Sequence, residues 1–97
     1  HGATAKDLYN LAVFIADKPF WAAQIDQIHV ANNGDLELIP RVGSHRILIG
    51  DVKNLEKKFN GLMVFYKKAL SKLGWSMYSL ISVKYEGQII CTKSNSL

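Results

Sequence analysis

The sequence predicts an α+β domain, an antiparallel sheet with two helices in the order α-β-β-β-α-β-β. Two segments, 4–18 and 54–73, repeat their apolar residues at the helical period. Two others, 24–50 and 78–92, are rich in Ile, Val and Leu and are cut by Asn32-Asn33-Gly34, Pro40, Gly43-Ser44 and Glu86-Gly87. With 97 residues and 48% hydrophobic content, the chain suits one compact domain over 1–97, with no room for a second.

In the first helix Leu8, Leu11, Ala12 and Ile15 share a side, with Ala5 and Ala16 near its edge. Thr4 is placed as the N-cap and Asp7, three residues on, favours the positive end. Lys18 and Pro19 close the helix. In the next hairpin a two-residue loop would set Val30 opposite Glu37 and mix the faces. A three-residue loop of Asn32, Asn33 and Gly34 instead pairs Val30 with Leu36, Ile28 with Leu38 and, on the other face, His29 with Glu37. Gly34 supplies the left-handed residue such a loop needs. The third strand is Arg46 to Ile49, ending at Gly50.

The second helix buries Leu55, Phe59, Leu62, Met63, Tyr66, Ala69, Leu70 and Leu73, and turns Lys53, Lys57, Lys68 and Lys72 outward. Asn54 or Asp51 caps its start and Gly74 its end. In the final hairpin a two-residue loop at Glu86-Gly87 pairs Tyr85 with Gln88, Lys84 with Ile89, Val83 with Ile90 and Ser82 with Cys91. That register puts Val83 and Ile90 on the core face with Ile81 and Tyr85. Ile89 and Cys91 then lie on the other face, either beneath a helix or as an open edge with Ile89 as anchor.

Twelve Lys and Arg against eight Asp and Glu give a net charge of +4. This permits nucleic acid, anionic membrane or acidic protein as partner and selects none of them. No run reaches the ~18 apolar residues of a spanning helix, and the N-terminus lacks an export signal. The opening on His1, without an initiator Met, reads as a processed or excised chain.

Enzymatic chemistry finds little support. A thiol hydrolase would need Cys91 activated by His29 or His45, because an unassisted thiol near pKa ~8.5 is mostly protonated at neutral pH. Cys91 sits mid-strand beside Ile89 and Lys93 and reads as a packing residue. No His-x-x-x-His or Cys-x-x-Cys spacing marks a metal site, so His29 and Glu37 read as a surface cross-strand pair. The carboxylates fall at turns and helix starts and form no acid-base dyad. Arg41 to Arg46 lacks both the phosphate-loop pattern and a following helix. As a nucleic-acid surface the lysine stripe lacks stacking aromatics, since Phe59 and Tyr66 face the core. No catalytic, cofactor or metal residue is assigned.

The run "LYNLAVFIADKPFWAAQIDQIHV", followed by "NGDLELIPRVGSHRILIG" and "YSLISVKYEGQIICTK", resembles the C-terminal extracytoplasmic β-domain of the bacterial division proteins FtsQ and DivIB. The resemblance covers nearly the whole chain. It is carried by Ile39-Pro40 leading to Gly43, by Ile49-Gly50 and by Lys84-Tyr85 before the last turn.

It implies a non-enzymatic scaffold in septum assembly. This would be the periplasmic part of a single-pass inner-membrane protein, with its transmembrane helix and POTRA module outside the present chain. The implied partners are the divisome proteins FtsB and FtsL, the former adding a β-strand at the C-terminal edge. By position, Lys84 and Tyr85 match the basic-aromatic pair, Gly87 the turn, and Gln88, Ile89, Ile90, Cys91 and Thr92 the receiving strand. Lys84 stands where Arg is common, and Ile89-Ile90-Cys91 replace smaller residues.

Overall fold

The computed structural model describes residues 4–41, 45–70, 78–85 and 87–93. Its elements are α1 (Ala5–Ala16), α2 (Pro19–Gln24), β1 (Ile25–Val30), β2 (Leu36–Pro40), β3 (Arg46–Gly50), α3 (Leu55–Phe65) with a π-helical turn at Tyr66–Leu70, β4 (Tyr78–Ser82) and β5 (Ile90–Lys93). The expected residues Gly43, Ser44, Lys72, Leu73, Gly74 and Glu86, and the side chains of Ala69 and Leu70, lie outside that description.

α1 begins with a reciprocal capping box. Thr4 Oγ1 accepts from Asp7 N, and Asp7 Oδ2 accepts from Thr4 N, both at 3.1 Å. The helix ends at Ala16, two residues short of the expected Lys18. Pro19 then opens α2, a helix the periodicity did not reveal, because a missing N–H costs nothing at a first helical position. This six-residue helix carries Trp21 into the core. There the indole meets Phe59 and Tyr66 edge-on at ring-centroid distances of 5.4 and 5.1 Å.

The five strands form one sheet in the order β1-β2-β3-β4-β5. The first hairpin has the expected register, Ile28 with Leu38, His29 with Glu37 and Val30 with Leu36, and Gly34 has φ 90°. The sheet is not antiparallel throughout, because β3 and β4 run parallel. A parallel neighbour requires a crossover, and α3 supplies it. With α2, three helices rather than two are present among the described residues.

The final hairpin is shifted by one residue from its expected pairing. Ser82 opposes Ile90, Ile81 opposes Cys91 and Leu80 opposes Thr92. The sheet does not continue into a tight turn, because Val83 N donates instead to Leu48 O at 3.0 Å. A reversal follows in which Gln88 N donates to Tyr85 O at 3.2 Å and Gly87 has φ 75°. A one-residue slip exchanges the faces. Cys91, expected to pair with Ser82 on the other face from Val83 and Ile90, therefore shares the core row with Leu38, Ile47 and Ile81, whereas Ile90 leaves it.

Leu11, Ile15, Trp21, Phe59, Leu62 and Tyr66 from the helices close over Leu36, Leu38, Ile47, Ile49 and Ile81 from the sheet. Each such aliphatic side chain contributes roughly 1.5–3 kcal/mol on burial. Asn54 holds the N-cap position of α3 with left-handed backbone, φ 57° and ψ 37°, and its carbonyl accepts from Lys58 N. Asp51 Oδ1 accepts from Lys53 N at 3.0 Å in the turn before it.

Candidate partner-binding edge

β5 is the last strand of the sheet, paired on one side with β4 and, among the described residues, with nothing on the other. It therefore presents a row of backbone donors and acceptors at the edge. Successive side chains alternate. Cys91 packs against the core, while Ile90 is 50% exposed and Thr92 is exposed on the opposite face. Ile89 leans toward α3, where a Cβ on Gly61 would stand 3.6 Å from its Cδ1, yet it remains 38% exposed.

Ahead of the strand, Tyr85 is 57% exposed at the reversal and Gly87 and Gln88 are open to solvent. Between this connection and α3 lies a cleft of about 190 Å³ lined by Asn54, Lys57, Gly61, Val83, Tyr85 and Ile89. Lys57 and Gly61 were not singled out as site residues. The available signal was Gly61 itself, since a lone glycine within a helical pattern often marks a close approach.

Lys84 is engaged within the domain. Its Nζ donates to Asp35 Oδ2 at 2.6 Å, tying the β4–β5 connection to the turn between β1 and β2. The hydrogen bond to Asp35 raises the Lys84 pKa above its ordinary value. Its stem crosses Gly50, where φ is 82° and a Cβ would fall 2.6 Å from Lys84 Cγ. The Ile49-Gly50 strand end and the Lys84-Tyr85 pair are thus one packing unit, with Tyr85 at its exposed end. The Lys84 ammonium lies 5.6 Å from the Tyr85 ring centroid.

The alternative chemistries are placed as follows. Burial pushes the Cys91 thiol pKa up, away from the reactive thiolate. His45 is buried with its Nε2 2.7 Å from the Tyr66 hydroxyl. His29 Nδ1 lies 3.8 Å from Glu37 Oε1 as the register required, but Glu37 is only 8% exposed and also meets Arg46 at 3.5 Å. The pair is half-buried, not wholly at the surface. Among the described residues no group of His, Cys, Asp and Glu could hold a metal, and no helix is long and apolar enough to cross a membrane.

A family model described as FtsQ/DivIB, C-terminal related, matches residues 1–92. No curated protein and no solved structure matches the chain. Over nearly its whole length, with the Gly50–Lys84 packing unit and the edge strand through Thr92 inside the matched region, the chain belongs to the FtsQ/DivIB C-terminal related family of cell-division domains.

Proposed function

We propose that this domain is a non-enzymatic divisome scaffold that captures FtsB, with FtsL, by adding a strand of the partner to β5 during septum assembly. On this reading it is the periplasmic portion of a protein held in the inner membrane by a helix N-terminal to the present chain. One observation carries the proposal: among the described residues β5 is an open sheet edge that exposes its own Ile90 and is preceded by exposed Tyr85. Four or five added backbone hydrogen bonds contribute about 5 kcal/mol net, against an association cost of roughly 4–15 kcal/mol. Apolar contacts from Tyr85, Ile89 and Ile90 make up the difference, while Gly87, Gln88, Cys91 and Thr92 present backbone. Lys84 serves the interface by holding the connection in place.

The test is capture of the soluble FtsB/FtsL pair by Tyr85→Glu and Ile90→Lys, each first checked for native circular dichroism. Both variants are expected to stay folded and lose capture. Undiminished capture by the folded variants would refute the edge assignment.

A further inference from the structure

We infer that the turn between β1 and β2 positions the partner-binding edge from outside it, with Asn33 and Asp35 acting on capture through Lys84. This rests on the strand-addition reading and names the residues that hold its receiving edge in place. The sheet brings the two regions to one end: Leu36 opposes Gly50, Leu48 stands beside Ser82, and Ser82 opposes Ile90 at the start of β5. Residues 49 apart in sequence meet there, where Lys84 Nζ donates to Asp35 Oδ2 at 2.6 Å.

The carboxylate is aimed by bonds internal to the turn. Asn33 holds Asp35 at two points, its Oδ1 accepting from Asp35 N at 3.0 Å and its Nδ2 donating to Asp35 Oδ2 at 3.1 Å. Ala31 N donates to Asp35 O and Gly34 N to Ala31 O, both at 2.8 Å, which closes the backbone as well. The ion pair is also shielded. The side chains of Lys84 and Asp35 keep 30% and 17% of their exposure, against 54% and 46% for Arg41 and Asp26 at the other end of the same hairpin, so water and salt screen the Lys84 pair less. On the far side of the bond, Lys84 immediately precedes exposed Tyr85, whose carbonyl accepts from Gln88 N. Beyond Val83 N, which donates to Leu48 O, the described part of this connection makes no backbone hydrogen bond to β1, β2 or β3. The Lys84 side chain is therefore its tether to that half of the sheet. A receiving edge already held in place loses less freedom on capture, so the tether raises affinity without touching the partner.

The test is titration of the 97-residue chain with the soluble FtsB/FtsL pair, comparing Asp35→Asn, Asn33→Ala, Lys84→Met and Asp35→Asn/Lys84→Met, with Asp26→Asn as the control and Ile90→Lys as the edge variant, each checked for native circular dichroism. Asp35→Asn keeps the shape of the side chain and removes its charge; it is expected to weaken binding about fivefold, with Asn33→Ala weaker in the same direction by less and Asp26→Asn unchanged. Because Asp35 acts through Lys84, its substitution should change nothing further in the Lys84→Met background, a non-additivity that a general loss of stability would not produce. Binding by Asp35→Asn that equals wild type, or is tighter because Lys84 is freed for the partner, would overturn the inference and leave strand addition standing. Equal loss in both backgrounds would overturn it too, since the turn would then act by another route. Should Asp35→Asn fail to fold, Asn33→Ala carries the same cycle with Lys84→Met. If wild type does not bind, or Ile90→Lys binds normally, strand addition falls and this inference with it.

Discussion

Lys84 reaches over Gly50 to place its ammonium 2.6 Å from Asp35, so three segments distant in sequence meet at one side chain. Gly50 permits this in two ways: its φ of 82° is one that other residues adopt only under strain, and the missing Cβ leaves room for the lysine stem. Gly50→Ala is expected to destabilise the fold by about 1–3 kcal/mol in urea denaturation. In a Lys84→Ala background the 2.6 Å clash with Cγ disappears, while a 3.3 Å approach to Cβ and the backbone part remain. A double-mutant cycle should therefore show coupling, and strict additivity would contradict the packing described.

The same bond sets part of the alkaline stability limit. The Lys84 pKa is raised in the folded state, so its contribution is full below the unfolded value and is lost as pH rises through the folded one. Tyr66 adds to this limb, because burial raises its pKa and opposes ionisation in the folded state above about pH 10, where the unfolded side chain ionises. Lys84→Met and Tyr66→Phe should each flatten the fall in stability above about pH 10 relative to wild type, as followed by thermal denaturation.

At the start of α3, Lys58 is a lysine turned inward. Its Nζ donates to Ile49 O and Asp51 O at 2.9 Å and to Asp51 Oδ1 at 3.1 Å. Desolvation raises the Asp51 pKa, but hydrogen bonds from Lys53 N and Lys58 and their charges outweigh it, and the net shift is downward. Asp51 therefore stabilises above its unfolded pKa, and that contribution is lost as pH falls through the folded one. Lys58→Met, which keeps the stem and removes the charge, is expected to cost about 1.5–3 kcal/mol at neutral pH. It should also weaken the acid dependence due to Asp51. A neutral effect would mean that the carbonyls find other donors.

These cases show where the sequence was legible. The first hairpin could be read to the residue because only one loop length kept Val30 and Ile28 on a common face, and Gly34 met the backbone requirement of that loop. The Thr4 cap was legible for the same reason: its chemistry is local. The edge position of β5 followed from the chain order and the resemblance. The parallel β3–β4 pair was signalled only by the helix between the two strands, which permits a crossover but does not by itself make them neighbours. Not legible was α2, too short for a period to register and hidden behind a proline read as a stop. The burial of Lys58 was not legible either, because its partners include carbonyls supplied by the end of a strand and the turn after it. The final register slipped because Glu86-Gly87 suggested a tight turn, whereas Val83 is held by Leu48.

That register can be tested by two neighbouring substitutions. With Ile81 opposite Cys91, the thiol faces the core and Ile90 faces away, whereas a two-residue turn would reverse them. Cys91→Asp would bring a carboxylate against Ile81 and is expected to cost about 1–3 kcal/mol, while Ile90→Asp should remain within about 0.5 kcal/mol of wild type. Reaction with a thiol reagent gives a second check: the burial that raises the Cys91 pKa should make it react more slowly than the same cysteine in unfolded protein. Should Ile90→Asp prove the more damaging, the hairpin would be a tight turn, Ile90 would belong to the core, and the partner-facing side of β5 would be the one that carries Ile89 and Cys91.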